Sequence, residues 1–191
     1  MLTFTARRMT RIGLLAALAS LLYLIPGIPV IPPIYKLDLS TIPVVIAGLS
    51  GGWLDAVIVL VIKDVTGLLH SSSMGVGELA DLLCGAALVL SLIGFEKLGL
   101  DTAIASILSV LAMTLAGALV NYFIMIPFYV KVQGFPLDAI VGLISKTIKQ
   151  VKDLKTLIMY ATVPFNLIKG IVLVLLSQPI FTALKEYGFD R

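Results

Sequence analysis

Apolar residues fill whole segments of this chain, and polar residues cluster between the segments. A helix needs roughly 20 residues to cross the hydrocarbon core, and near-continuous apolar runs of about that length read as membrane helices. The first run covers 10–25. It stops at PGIPVIPPIYK, where Pro26, Pro29, Pro32 and Pro33 forbid regular helix. This proline-rich loop, 26–37, is itself apolar, which suits a segment folded back over a cavity better than one extended into water. A second helix starts near Asp38 or Ser40, with Ser40 as N-cap and Pro43 in the first turn, and ends around Gly51 and Gly52. A third covers 53–69. HSSSMGVG, 70–77, reads as a loop, and a fourth helix covers 77–94. After a turn over 95–99, Asp101 or Thr102 opens a fifth helix that ends near Pro127. A sixth covers 157–177 and is irregular at Pro164.

Between the fifth and sixth runs the pattern changes. Leu137, Ile140, Val141, Ile144, Ile148 and Val151 recur at spacings of three and four, the mark of an amphipathic helix within 137–155. Lys146, Lys149, Lys152 and Lys155 occupy its wetter side. Such a segment lies at the membrane interface or acts as a lid.

Composition supports a membrane protein. The chain has 191 residues, 59% hydrophobic and 13% charged, against about 25% charged in a soluble domain. Mean hydropathy is +1.09. Six spans would use about 120 residues, so the expected architecture is all-α: one compact six-helix transmembrane bundle over 1–191, with no separate soluble domain. The net charge of +3 is weak, and one Trp with scattered Tyr and Phe makes no stacking stripe, so nucleic acid is not an expected partner. The start, MLTFTARRMTRIG, resembles a signal peptide, but no A-x-A site follows, and it is read as a retained first helix. With both termini inside, Arg7, Arg8, Arg11, Lys97, Lys185 and Arg191 are cytoplasmic, and Lys36, Lys131, Lys146, Lys149, Lys152 and Lys155 are outside. The count is tied; the basic cluster beside the first helix favours the termini inside.

Ionisable residues in spans are functional candidates, because burying them unpaired is costly. Asn166 and Lys169 share a face of the last helix within PFNLIKG. Glu78 and Asp81 lie one turn apart on the fourth, and Asn121 lies in NYFIMIP on the fifth. Glu78, Asn121, Asn166 and Lys169 together suit a ligand rich in hydroxyl, carbonyl and imide groups. Tyr35, Leu37, Tyr122, Phe128 and Phe165 are candidates for flat apolar surface near them. The competing reading is an internal network in which Lys169 pairs with Glu78. Lys63 and Asp64 read as structural, with Asp64 near the span end and solvated. Small residues at Gly13 and Ala17, and at Ala16 and Ser20, suit a helix that docks closely against another helix.

Catalytic machinery does not stand out. There is no Walker A motif, so the chain is not its own ATP-driven motor by that route. Ser71, Ser72 and Ser73 have His70 beside them but no nucleophile elbow, and read as loop. A lone His70 and a lone Cys84 support no zinc site, and Cys84 reads as a small buried side chain. No metal and no cofactor are expected.

The ordered set of motifs resembles the riboflavin-binding S components of energy-coupling factor (ECF) vitamin transporters. The set comprises the basic start with a small-residue first helix, Leu37-Asp38-Leu39-Ser40 with Pro43, Gly77-Glu78-Leu79-Ala80, Asn121-Tyr122 with Pro127 and Tyr129, and Pro164-Phe165-Asn166-Leu167-Ile168-Lys169-Gly170. It spans most of the chain. The resemblance implies a substrate-binding membrane subunit that takes riboflavin from outside and works with a transmembrane coupling subunit (the T component) and two cytoplasmic ABC-type ATPases. It implies polar contacts to riboflavin from Glu78, Asn121, Asn166 and Lys169, with Tyr122 beside them and Leu37, Asp38 and Ser40 closing the site. The family's docking motif falls on Gly13 and Ala17, with glycine in place of the usual alanine. Asp81 stands where many members carry asparagine. Riboflavin, or FMN, is then cargo rather than cofactor. The rival readings are an S component for thiamine, biotin or a pantothenate-like vitamin, a stand-alone vitamin facilitator, and a non-transporting assembly protein.

Overall fold

Helices join into longer runs than the sequence pattern predicts, and two of them pass through prolines. The structure, a computed structural model, describes residues 5–31 and 34–189. Pro32, Pro33 and Arg191, and the first four residues of the basic start, lie outside the described residues.

Helix α1, Ala6–Leu24, begins before its apolar run because the Thr5 hydroxyl caps it, accepting from the Arg8 N–H at 3.3 Å. The segment expected as an irregular loop is a hairpin. Strand β1, Ile28–Ile31, pairs antiparallel with β2, Tyr35–Leu37, with Ile28 opposite Leu37 and an irregularity between Pro29 and Ile31. Proline is tolerated in such a strand where no ladder hydrogen bond is asked of it. Helix α2, Ile42–Gly51, starts after Thr41 rather than being capped by Ser40. Ser40 is diverted: its N–H and its hydroxyl both donate to the Asp38 carboxylate. Gly52, at φ 93°, turns the chain directly into α3, Trp53–Leu68. Helix α4 is Val76–Lys97.

Helix α5, Thr102–Val120, continues through a π turn, Asn121–Met125, into α6, Ile126–Lys131. Helix α7 is Leu137–Ser145, so the predicted amphipathic segment, 137–155, is helical in its first part and again only from Leu154. Helix α8, Leu154–Leu157, runs through a second π turn, Ile158–Thr162, into α9, Val163–Glu186. The fifth run therefore does not end at Pro127, and the sixth neither starts at 157 nor ends at 177. Proline lacks an N–H and crowds the carbonyl of the turn before it. In both runs a π turn ends two residues before the proline, and its wider hydrogen-bond register accommodates that defect.

The described residues form seven helical runs rather than six, and three of them, Val76–Lys97, Thr102–Lys131 and Leu154–Glu186, are long and apolar enough to cross a membrane. Helix α2 has only 10 residues. Helices α1 and α3 carry charges along their length: Arg7, Arg8 and Arg11 on one, Asp55, Lys63 and Asp64 on the other.

Among the described residues, two apolar clusters hold the fold together. The larger joins α1, α2, α3, α4, α5 and α9 through buried residues such as Ala19, Val45, Val59, Leu88 and Leu173. The smaller joins the hairpin, Ile126, α7 and the start of the last run through Tyr35, Ile140, Ile144, Leu157 and Phe165. At the end of the bundle that carries both chain ends, the arginines form a clamp. Asp55, 0% exposed, accepts from Arg8 Nε at 2.8 Å and Arg11 Nη2 at 3.1 Å. Arg11 also donates to the Phe189 carbonyl at 3.1 Å, and Arg7 to the Gly188 carbonyl. The two small-residue rows of α1 separate. Ala16 is buried and the Ser20 hydroxyl approaches that of Thr66 on α3 at 3.4 Å, whereas Gly13 and Ala17 face outward. A Cβ on Gly13 would meet nothing within 4 Å.

Candidate functional site: a cavity with one doubly held ammonium

At the opposite end of the bundle a cavity of about 510 Å³ lies between the hairpin, the start of α4, the first π turn, α7 and the first turns of α9. That volume falls in the range of small-molecule sites, roughly 300–1,000 Å³. Its apolar wall comes from Ile140, Leu143 and Ile144 of α7, with Met125, Ile126 and Leu157. Tyr35 and Phe165 supply a flat face, their ring centroids 5.0 Å apart at 42°. The Tyr35 hydroxyl is 2.6 Å from Thr162 Oγ1, which ties the hairpin to the second π turn. Burial pushes the Tyr35 phenol up to about 12, so it stays neutral.

Polar groups enter from three helical segments. Asn121, Asn166, Lys169 and Asp81 all line the cavity. Asn121 Nδ2 donates to the Gly117 carbonyl and Asn166 Nδ2 to the Thr162 carbonyl, each at 2.9 Å. These bonds orient the amides and leave each with an acceptor oxygen and a second N–H. Gly117 is required here, since a Cβ on it would sit 2.6 Å from the Asn166 amide. Lys169 Nζ donates to Asp38 Oδ2 and to Asp81 Oδ1, both at 2.8 Å. The other oxygen of Asp81 accepts from Lys63, whose Nζ also lies 2.8 Å from Asp64 Oδ1 and 4.8 Å from the Tyr23 ring centroid.

Several expectations are corrected. Lys169 does not pair with Glu78; it pairs with Asp81 and Asp38. Glu78 accepts instead from the hydroxyls of Ser71 at 2.8 Å and Ser73 at 3.1 Å. The 70–77 loop folds over the start of α4 through left-handed Met74 and Gly75, and this brings the serines to the carboxylate. Asp64 is buried beside Lys63, not solvated. Tyr122 packs edge-on against Phe123 at 4.9 Å and Phe128 against Tyr129 at 6.5 Å, and neither lines the cavity. Leu37, Asp38, Ser40 and Glu78 also lie behind the lining, with Asp38 reaching the cavity wall through Lys169. The amphipathic segment turns its apolar side to the second core and the cavity, while Lys146, Lys149, Lys152 and Lys155 are exposed.

Two lining or supporting groups were not among the expected site residues. Asp81 is an ionisable candidate by its one-turn spacing from Glu78, but the resemblance assigns ligand contact to Glu78 and leaves Asp81 as a departure from asparagine. Lys63 read as structural because adjacent charges on one helix diverge; here the long lysine side chain curls back to its neighbour.

A half-enclosed cavity with an aromatic face, two oriented amides and a buried ammonium defines a membrane-embedded small-molecule binding protein. The chain belongs to the family of ECF transporter substrate-specific components, whose model matches residues 7–181. It is thus a transporter's substrate-binding component rather than an enzyme. Among its relatives, "Riboflavin transporter RibU" of Staphylococcus aureus (strain TCH60) is 29% identical over 95% of this chain and 92% of its own length. "Riboflavin transporter FmnP" of Bacillus subtilis (strain 168) is 29% identical over 95% and 93%. "Riboflavin transporter RibU" of Leuconostoc mesenteroides is 28% identical over 94% and 91%. The fold matches a solved S component of a bacterial ECF transporter with a TM-score of 0.73 at 26% identity, covering 95% of this chain and 96% of that one.

Proposed function

We propose that this chain is the riboflavin-binding subunit of an ATP-driven ECF vitamin importer. The observation that carries the reading is the cavity itself: the Tyr35 and Phe165 faces suit the flat isoalloxazine ring, and Asn121, Asn166 and Lys169 suit its carbonyl and imide edge and the ribityl hydroxyls. The relatives named riboflavin transporters support it. Asp38 acts through Lys169, Ser40 through Asp38, and Glu78 by fixing the loop whose Ser72 lines the cavity. Leu37 and Tyr122 support the site from behind. The flavin is cargo, and no redox step is involved.

The six expected spans are α1, α2, α3, α4, the α5–α6 run and the α8–α9 run, with α2 and α3 joined at Gly52. The protein sits in the cytoplasmic membrane with both termini inside, which the joined chain ends and the α1 arginines favour. The cavity then opens outside, under the hairpin and α7. Gly13 and Ala17 present an outward small-residue row on α1, suited to close docking on a transmembrane coupling subunit. Two partner ATPases drive the cycle, and 1–191 acts as a single substrate-binding domain.

The test is a titration of detergent-purified, ligand-stripped protein with riboflavin, followed by flavin fluorescence, with FMN, thiamine and biotin as competitors. Saturable one-to-one quenching that thiamine and biotin do not displace is expected. Absence of saturable quenching in folded protein overturns the assignment, and displacement by thiamine or biotin reassigns the cargo.

A further inference from the structure

The ion pairs behind the cavity form a chain rather than isolated contacts. It runs from Asp64 to Lys63, Asp81, Lys169 and Asp38, and ends on the Ser40 hydroxyl. It crosses α3, α4, α9 and the segment after the hairpin. Asp81 is its centre, with one carboxylate oxygen on each lysine. Lys63 is 0% exposed and does not line the cavity. The Tyr23 ring of α1 covers its ammonium.

We propose that Lys63 is a positioning residue for ligand binding. Lys63 holds Asp81 by one oxygen, so that the other is presented to Lys169 and fixes that ammonium at the cavity wall. Without Lys63, Asp81 is free to turn both oxygens onto Lys169 and draw it away from the ligand. A binding group is as well placed as the shell behind it, and here the cation behind Asp81 in that shell is Lys63. The inference rests on the riboflavin reading above.

A merely structural Lys63 and a positioning Lys63 differ in one measurable respect. If Lys63 acts through Lys169, its removal matters only while Lys169 is present. Riboflavin affinities of the wild type, K63M, K169M and the double variant form a cycle that reads this coupling. K63M is expected to weaken binding about tenfold in the wild-type background, a size ordinary for groups in one ion network, and to have little further effect in the K169M background. Equal losses in both backgrounds, or no loss in folded K63M, overturn the proposal. Should K63M fail to fold, Tyr23→Leu removes only the ring over the ammonium and keeps every charge. It is expected to weaken binding by a smaller factor, again only with Lys169 present, and no loss or equal losses overturn the proposal. Failure of the wild type itself to bind riboflavin removes the functional reading instead, so the two failures are distinguishable.

Discussion

Replacing Lys169 by methionine tests the cavity most directly. Methionine keeps much of the apolar stem and removes the ammonium. Lys169 gives two of its three donors to Asp38 and Asp81, at 2.8 Å each. One donor remains for a ligand. A hydrogen bond to a charged group contributes about 1.5–3 kcal/mol. At about 1.4 kcal/mol per factor of ten, its loss weakens riboflavin binding by roughly ten- to a hundredfold. The fold survives, because Asp81 keeps Lys63 and Asp38 keeps Ser40. Flavin fluorescence titration gives the dissociation constant, and thermal unfolding in the same detergent checks folding. Unchanged affinity in folded K169M refutes the role assigned to the ammonium.

Other expectations are independent of that one. Asp55→Asn leaves two partly buried guanidiniums without their shared carboxylate, and a broken buried pair of this kind costs about 3 kcal/mol. For a domain of this size that lowers Tm by roughly 6–12 °C, and a fall under about 2 °C refutes the clamp. Gly117→Ala drives a methyl into the Asn166 amide, so riboflavin titration is expected to show severalfold weaker binding, and wild-type affinity means Asn166 does not contact the ligand. Ala17→Phe puts bulk on the exposed row of α1; vitamin binding is expected to persist while uptake by the assembled transporter falls, and full uptake removes α1 as the dock. Asp153 is the N-cap of α8, and its carboxylate is held below its ordinary 3.8, first by the Thr156 backbone N–H and then by the Thr156 hydroxyl. Because the folded value is the lower one, the cap is fully present above about pH 4 and is lost as pH falls through that lowered value. Hydrogen exchange at the Thr156 amide is expected to lose protection on such acidification, and constant protection refutes the cap.

The apolar runs revealed most of the helices, and the charged interruptions revealed where polar chemistry enters them. Which charges meet was not readable, because pairing depends on how helices rotate and cross. Glu78 and Asp81 are both carboxylates one turn apart. Only packing decides that Asp81 faces both lysines while Glu78 is taken by Ser71 and Ser73. Asp55 escaped notice for a related reason. The arginines that it binds already had an explanation as a membrane-topology signal, and nothing in the sequence says that such a signal is also a clamp. The hairpin was hidden by its prolines, which exclude helix but do not exclude a short irregular strand.

Pro127, which reads as a helix end, and Pro164, which reads as an irregularity within a helix, point to how the cavity exists at all. A regular helix satisfies its own backbone and offers a neighbour only side chains. Two of the three long runs break that regularity, at Asn121–Met125 and at Ile158–Thr162, and the two π turns lie in contact. Irregular backbone at membrane depth is tolerated only where protein or a cavity covers it. Both conditions are met: Asn121 and Met125 of the first turn line the cavity, and Tyr35 of the hairpin bonds to Thr162 of the second. Each proline then prevents the run from returning to a regular register across the break. Asn166 Nδ2 donates to the carbonyl of Thr162, the last residue of that π turn, so the helix defect also aims the amide. The polar residues in otherwise apolar runs are therefore tied to the breaks beside them: the breaks open the space, and the amides and ammonium give it an edge that an uncharged, hydrogen-bonding ligand can match.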